Sequence, residues 1–399
     1  MITVEAHLAA ILDAVEVLDR ASTSLGDATG KTLREPVLAA IDMPAFDNSA
    51  MDGFAVRFTD VAGASAAHPA LVRVIADLPA GTSSNPPIGI GEAARIMTGA
   101  PLPTDADTVV PFESTAGGLA DSLGEVSVAR PPRRLGEHVR RSGEDCVAGS
   151  VVVAAGVELG PYQLAAIAAA NIDRVTVTRS PRVAVISTGS ELVRPGTVLA
   201  HGQISESNAL LLSGLALNAG AEVILQRTVS DDNDDLRRAL AESAALGADA
   251  VITSGGVSAG AFEVVRNTVG EMVFSSVAMQ PGKPQGFAAG RPLLFGLPGN
   301  PVSAAVSFEV FVRPALLTMQ GRTAVNRHTL RLPVVTGWSV PPTRRQYMPI
   351  VLVDGGVAPA TSGGSHLVGS LGRAQGYAII PIEIESVAAG DLVDVMVLL

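Results

Sequence analysis

The sequence predicts a multi-domain α/β plus β protein. A doubly wound α/β/α unit carries an inserted β-rich unit, an N-terminal helical and extended linker unit, and a small β-barrel-like C-terminal unit. Three observations support this. The 399 residues exceed what one domain usually takes. From Arg182 to Leu317 strand-like and helix-like segments alternate, the pattern of a mainly parallel sheet covered on both faces. Outside that stretch, short β-like runs are broken by Gly, Pro, Ala and Thr.

Taken in order, residues 3 to 22 place Leu8, Ile11, Leu12, Val15 and Leu18 at helical spacing, with Thr3 as N-cap. An extended segment follows from Leu33 to Ile41. Short strands at Ala70 to Ile75 and Thr108 to Pro111 mark the inserted β unit, and Pro161 to Asn171 reads as a helix. In the alternating unit the expected order is strand 183–186, helix 208–218, strand 222–229, helix 234–246, strand 249–253 and helix 262–269. Strands at 273–278 and 292–295 and helix 301–317 complete it. Strands at 330–335, 347–353, 376–382 and 392–398 form the last unit. The units are expected at 1–44 with 140–176 (linker), 45–139 (inserted), 177–321 (α/β) and 322–399 (C-terminal).

The formal charge of −11 and a pI near 5.0 argue against a general nucleic-acid binder. A single cysteine, Cys146, excludes an internal disulfide and a Cys-rich zinc site, and fits a reducing cytoplasm. Glu5, Asp13, Glu16 and Asp19 interrupt any signal-peptide core. No apolar run reaches the roughly 18 residues of a membrane span. Among 28 basic residues only Lys31 and Lys283 are lysines, which draws notice to the loop Gln280-Pro-Gly-Lys-Pro284.

The richest segment is Asp249-Ala-Val-Ile-Thr-Ser-Gly-Gly-Val-Ser-Ala-Gly260, a strand entering a turn of glycines and hydroxyl residues. Such a turn presents successive N–H groups to phosphate oxygens. Thr188-Gly-Ser-Glu191 and Leu297-Pro-Gly-Asn-Pro-Val302 are similar strand-end loops, so a site for a phosphorylated ligand is expected at the strand ends. Two motifs compete. Gly256-Val-Ser258-Ala-Gly260 matches the G-x-S-x-G elbow of serine hydrolases, with His328 or His366 as partner, but the extra Gly255 loosens the turn. Gly26-Asp-Ala-Thr-Gly-Lys-Thr32 is one residue short of a P-loop and follows a helix.

Asn48-Ser-Ala-Met-Asp-Gly-Phe-Ala-Val56 resembles the signature of the molybdopterin molybdenumtransferase family, to which the gephyrin E domain also belongs. Similar segments follow in family order: Arg95 to Pro103, Ala106 to Pro111, Gly143-Glu-Asp145, Ser187 to Leu192, Ser254 to Ser258, Pro281 to Pro284 and Gly296 to Ser303. The resemblance implies a homodimer acting on adenylylated molybdopterin and molybdate, with magnesium, releasing AMP. It also implies transient contact with other molybdenum cofactor enzymes, and a cleft between the α/β unit of one subunit and the β unit of its partner. A catalytically silent scaffold of the same fold is the alternative.

By this resemblance Glu191 and Asp231 would hold magnesium, which favours one or two carboxylates with water and phosphate oxygens. Ser254, Gly255, Gly256 and Ser258 would hold the nucleotide or pyrophosphate. Asn300 and Pro301 suit N-cap and first-turn positions, and Pro298 and Gly299 would bring that helix start to the anion. Ser303 and Lys283 would grip molybdate or phosphate. Asp52 resembles the family's catalytic aspartate, and Thr98, Asp145 and Ser365 match functional positions. Which acid is the general base is open. The chain departs from its relatives at Gln280 (often lysine), at Glu263 (often aspartate) and at Gln346-Tyr-Met-Pro349 (often E-F-x-R), where Arg344 or Arg345 would compensate.

Overall fold

The computed structural model describes residues 1–120, 122–256 and 264–398. Its centre is a six-stranded sheet in the order Glu222–Val229, Arg182–Thr188, Ala250–Ser254, Leu293–Leu297, Pro284–Ala288, Val273–Ser276. The first four strands pair in parallel; Pro284–Ala288 alone is reversed, pairing antiparallel with both its neighbours. Side chains of successive strand residues point to opposite faces. Val183 and Val185 therefore enter one apolar core while Ala184 and Ile186 enter the other. Strands buried on both faces read as continuous apolar runs, which is why this unit is legible in the sequence.

Helix Asn208–Asn218 and the long helix from Pro301 to Met319 cover one face; Asn233–Ala245 and Val264–Thr268 cover the other. The Pro301–Met319 helix is long and apolar enough to cross a membrane, but 89% of it is buried in the fold, so it is a core helix. Its middle, Phe308–Val312, is wound as a π-helix.

Two elements differ from the expectation. Strand Pro284–Ala288 was not foreseen, because Pro, Gln and Gly at its start hide its β character. The N-terminal helix stops at Leu12, and it docks on the α/β core through Val4 and Ile11. The helical spacing through Leu18 continues beyond the helix, because Val15 and Leu18 pack on the same core from an irregular segment. Thr3 is the N-cap, accepting from the Ala6 N–H at 3.1 Å.

The inserted unit is a five-stranded sheet ordered Thr108–Pro111, Gly53–Val56, Glu92–Ile96, Ala70–Leu78, Glu125–Val128. A three-stranded sheet joins Arg20–Ser24, Arg174–Thr178 and Thr32–Leu33, so both ends of the insertion return to one linker. The C-terminal sheet runs Met279–Gln280, Arg345–Val353, Gly376–Ile380, Leu392–Val397, Thr329–Pro333. Its first strand is lent by the α/β unit: Gln280 pairs in register with Gln346. The buried Glu309 carboxylate, on the π-helical stretch, receives Nε and Nη2 of Arg327 at 2.9 and 3.1 Å. Arg327 in turn donates to the Leu398 carbonyl at 3.4 Å, tying the C-terminal unit to the core helix.

Candidate functional site

Open α/β sheets bind ligands beyond the carboxyl ends of their strands. A cleft of about 1240 Å³ opens there. The ends of strands Arg182–Thr188, Ala250–Ser254 and Leu293–Leu297 deliver Glu191, Gly255 and Gly299 to its wall, and Asp231 follows strand Glu222–Val229. The opposite wall comes from Gln280 to Pro284 and from the C-terminal unit through Arg344, Ser365 and His366.

The turn at Gly255 requires glycine. Its φ is +94°, and a Cβ there would stand 2.6 Å from the Thr188 carbonyl oxygen. Gly299 lies so near that its own Cβ would be 3.4 Å from Gly255 Cα, so two strand-end loops touch backbone to backbone.

Around this turn the floor is polar and buried. The Ser254 hydroxyl donates to Ser187 Oγ (3.2 Å), and Ser187 donates to Glu206 Oε1 (2.8 Å). Glu206 Oε1 also receives the Ala209 N–H at 2.7 Å, at the start of helix Asn208–Asn218. The Ser254 hydroxyl thereby belongs to a buried hydrogen-bonded chain at the base of the cleft. Asn208 donates through Nδ2 to the Gly299 carbonyl at 2.7 Å, bracing that loop.

Asn300 occupies the N-cap and Pro301 the first position of the following helix, as expected. The Asn300 side chain makes no capping bond. It donates to Ser365 Oγ at 2.8 Å, while the Ser365 carbonyl accepts the Val302 N–H at 3.1 Å. Ser365 thus closes the C-terminal unit onto the helix start. Asp231 accepts the Ser190 N–H at 3.0 Å, which links the two acid-bearing loops.

The expected site residues divide into separate places. Glu191, Asp231, Ser254, Gly255, Gly256, Lys283, Pro298, Gly299, Asn300, Pro301, Ser303 and Ser365 all line the one cleft. Ser258 and Glu263 lie outside the described residues. Asp52 and Thr98 sit together on the inserted unit and do not line the cleft. Asp52 Oδ1 receives the Thr98 N–H at 2.6 Å and the Thr98 hydroxyl at 2.8 Å. These two bonds, the N–H first, hold its carboxyl below the ordinary aspartate range. Asp145 is exposed in a third place, a turn whose N–H bonds to the Met43 carbonyl at 3.0 Å.

Of the two arginines suggested as compensating cations, Arg344 lines the cleft; Arg345 pairs with Glu5. Glu206 and Asn208 also line the cleft, where the sequence had not placed them. Asn208 was visible only as a helix start, and nothing in the local pattern marks Glu206.

The Glu191 and Asp231 carboxylates suit a hard divalent cation that keeps water and phosphate oxygens as its other ligands. Among the described residues no group of three or more His, Cys, Asp or Glu could hold a metal without such help.

Three family models match the chain: the MoeA N-terminal region (domain I and II) over residues 2–171, a probable molybdopterin binding domain over 184–318, and the MoeA C-terminal region (domain IV) over 331–398. A relative named molybdopterin molybdenumtransferase 2, from Mycobacterium tuberculosis, is 40% identical, with 99% of each chain covered. The chain belongs to the molybdopterin molybdenumtransferase family. Another member, from Staphylococcus aureus, is 34% identical over 99% of this chain and 95% of its own. A crystal structure of a molybdopterin biosynthesis protein from Pyrococcus horikosii has the same fold, with a TM-score of 0.81, 32% identity, and coverage of 100% and 99%. Family members are enzymes of molybdenum cofactor biosynthesis, and the four-unit architecture is theirs.

Proposed function

We propose that the enzyme inserts molybdenum from molybdate into adenylylated molybdopterin and releases AMP in a magnesium-dependent step. The observation that carries this reading is the convergence of three strand-end loops, two carboxylates and the Lys283 loop on one cleft. The Gly255 turn lets backbone come close to the phosphoanhydride, and the positively polarised start of the helix at Pro301 favours its oxygens. Lys283, Ser303 and Arg344 offer a cation and donors to a tetrahedral oxyanion. Magnesium, held by Glu191 and Asp231, would neutralise charge on the phosphates and leaving group.

Asp52 and Thr98 enter from the inserted unit of a partner subunit in a homodimer. Support for the dimer comes from large apolar side chains left exposed on the α/β unit, among them Val198 at 92% and Leu210 at 61%. Asp52, ionised by its Thr98 bonds, orients water or oxyanion at the far wall; Asp145 lies in a turn of the linker and plays a supporting part.

The test is AMP release from adenylylated molybdopterin, measured with and without molybdate and magnesium. Glu191→Ala is expected to abolish release while the protein stays folded. Well-folded wild-type enzyme that binds ligand yet releases no AMP under any of these conditions would leave only a scaffold role.

A further inference from the structure

We propose that Gln285 is a positioning residue for the oxyanion: it clamps the turn bearing Lys283 onto the helix face bearing Ser303, so that the ammonium and the hydroxyl meet molybdate as one preformed site. The inference rests on the reading of this cleft as the place where molybdate is captured. It adds a residue that stands behind the cleft wall and does not itself line the cleft.

Gln285 is the second residue of strand Pro284–Ala288 and is 1% exposed. A side-chain amide carries two N–H donors on one nitrogen, so it can serve two acceptors at once. Here Nε2 donates to the Gly282 carbonyl and to Ser307 Oγ, both at 2.6 Å. The carbonyl only accepts, which fixes the amide with its nitrogen on that side. Gly282 stands directly before Lys283, and Ser307 stands one helical turn after Ser303. Residues four apart share a helix face and are separated by about 6 Å of rise. The backbone shows the same close approach: φ at Gly282 is +103°, and a Cβ there would stand 3.0 Å from Ser307 Oγ.

The turn is held on its other sides as well. The Lys283 carbonyl accepts the Val277 N–H at 2.8 Å, and Gln280 pairs in register with Gln346. Those bonds fix the turn to its own unit and to the C-terminal sheet, whereas the Gln285 amide ties it to the helix that starts at the cleft. Lys283 and Ser303 both line that cleft. Lysine carries its ammonium on a flexible four-carbon stem, so its reach depends on where the turn holds the backbone. A buried bridge between the turn and the helix sets the spacing of the two groups before any ligand arrives. That removes an ordering cost from oxyanion binding.

The test has two readouts. The molybdate dependence of AMP release gives its KM, and calorimetric titration of molybdate into enzyme carrying AMP and magnesium gives its affinity without turnover. Gln285→Met keeps the size of the side chain and removes both donors. It should raise the molybdate KM by about tenfold or more, leaving kcat within about threefold and AMP affinity within about twofold. A general loss of stability would not single out molybdate in this way. A double-mutant cycle with Lys283→Ala, read by the titration, asks whether Gln285 acts through the lysine. If it does, adding Gln285→Met to Lys283→Ala should weaken molybdate by no more than about twofold further. An unchanged molybdate KM in Gln285→Met, equal losses of AMP and molybdate, or effects that multiply in the double variant would overturn the proposal. Wild-type AMP release still stands for the functional reading in each of those cases. If Gln285→Met does not fold, Ser307→Ala, which removes one arm of the clamp, decides: a rise in the molybdate KM of about threefold supports the proposal and no rise overturns it. Wild-type enzyme that releases no AMP sinks both.

Discussion

Asp52 shows how much a single residue's chemistry depends on one neighbour. Its Oδ1 collects two donors from Thr98, and the folded carboxyl is held below its ordinary value. A carboxyl depressed in this way stays ionised further into acid. Any stability it lends is present above the unfolded aspartate value and lost as pH falls through the folded one. Thr98→Val removes the hydroxyl donor and keeps the N–H, so the acid limb of the pH profile for AMP release should move to higher pH. A profile that does not move would show that Asp52 is not the titrating acid. Gly255 supplies the second residue-level prediction. Alanine at φ +94°, pressed against the Thr188 carbonyl, should cost about 1–3 kcal/mol in chemical denaturation and weaken AMP binding. At this scale the sequence displays residue types but not the direction of hydrogen bonds. Ser254 could be placed at the turn, whereas its hydrogen bond with Ser187 depends on a strand 67 positions away.

Among the elements, the N-terminal helix contributes a pH-dependent dock. His7 is buried, stands edge-on to Phe311 at 4.8 Å, and desolvation lowers its pKa to about 4. A histidine kept neutral by burial binds its proton more readily in the unfolded chain. Stability should therefore fall as pH drops from roughly 6.5 toward 4, by up to about 3 kcal/mol, and His7→Leu should flatten that slope in a series of thermal melts. The π-helical stretch makes a second joint. Removing the buried Glu309 leaves Arg327 uncompensated, so Glu309→Ala should cost about 3–5 kcal/mol. Hydrogen exchange should rise first in strands Thr329–Pro333 and Leu392–Val397, and uniform exchange across the chain would speak against a local clamp. The alternating strands and helices were readable because each is buried on both faces or along one stripe. The strand Pro284–Ala288 was not, since its burial comes from neighbours and not from its own residue types. Two departures from the family pattern also merge at this scale. Gln280 and Gln346 are register partners, so the expected lysine and glutamate are lost as a facing pair, and neither amide leaves a lone charge behind. Gln346 instead accepts the Trp338 indole N–H at 2.8 Å.

For the whole molecule, the division of the expected residues between the cleft and the inserted unit leads to a mixing experiment. If Asp52 acts across a dimer, Asp52→Ala and Glu191→Ala enzymes are each inactive alone. Unfolded and refolded together in equal amounts, they should regain about one quarter of wild-type AMP release, because half the dimers are mixed and each of those carries one intact site. No recovery, with mixed dimers shown to form, would put Asp52 outside the reaction. The order of motifs along the chain revealed the four units and most cleft residues. It could not reveal that Asp52 and Thr98 stand apart from that cleft, because linear order carries no information about which units face each other.

The loan of Met279–Gln280 to the C-terminal sheet has a practical outcome for anyone dissecting the enzyme. A fragment ending at Gly321 would keep that short strand and lose the ladder it zips into, baring unpaired amides beside the lysine-bearing turn. Bare ladders of this kind recruit copies of themselves. The truncated piece should aggregate as concentration rises, visible as drifting elution in size exclusion, where the full chain elutes at a constant volume.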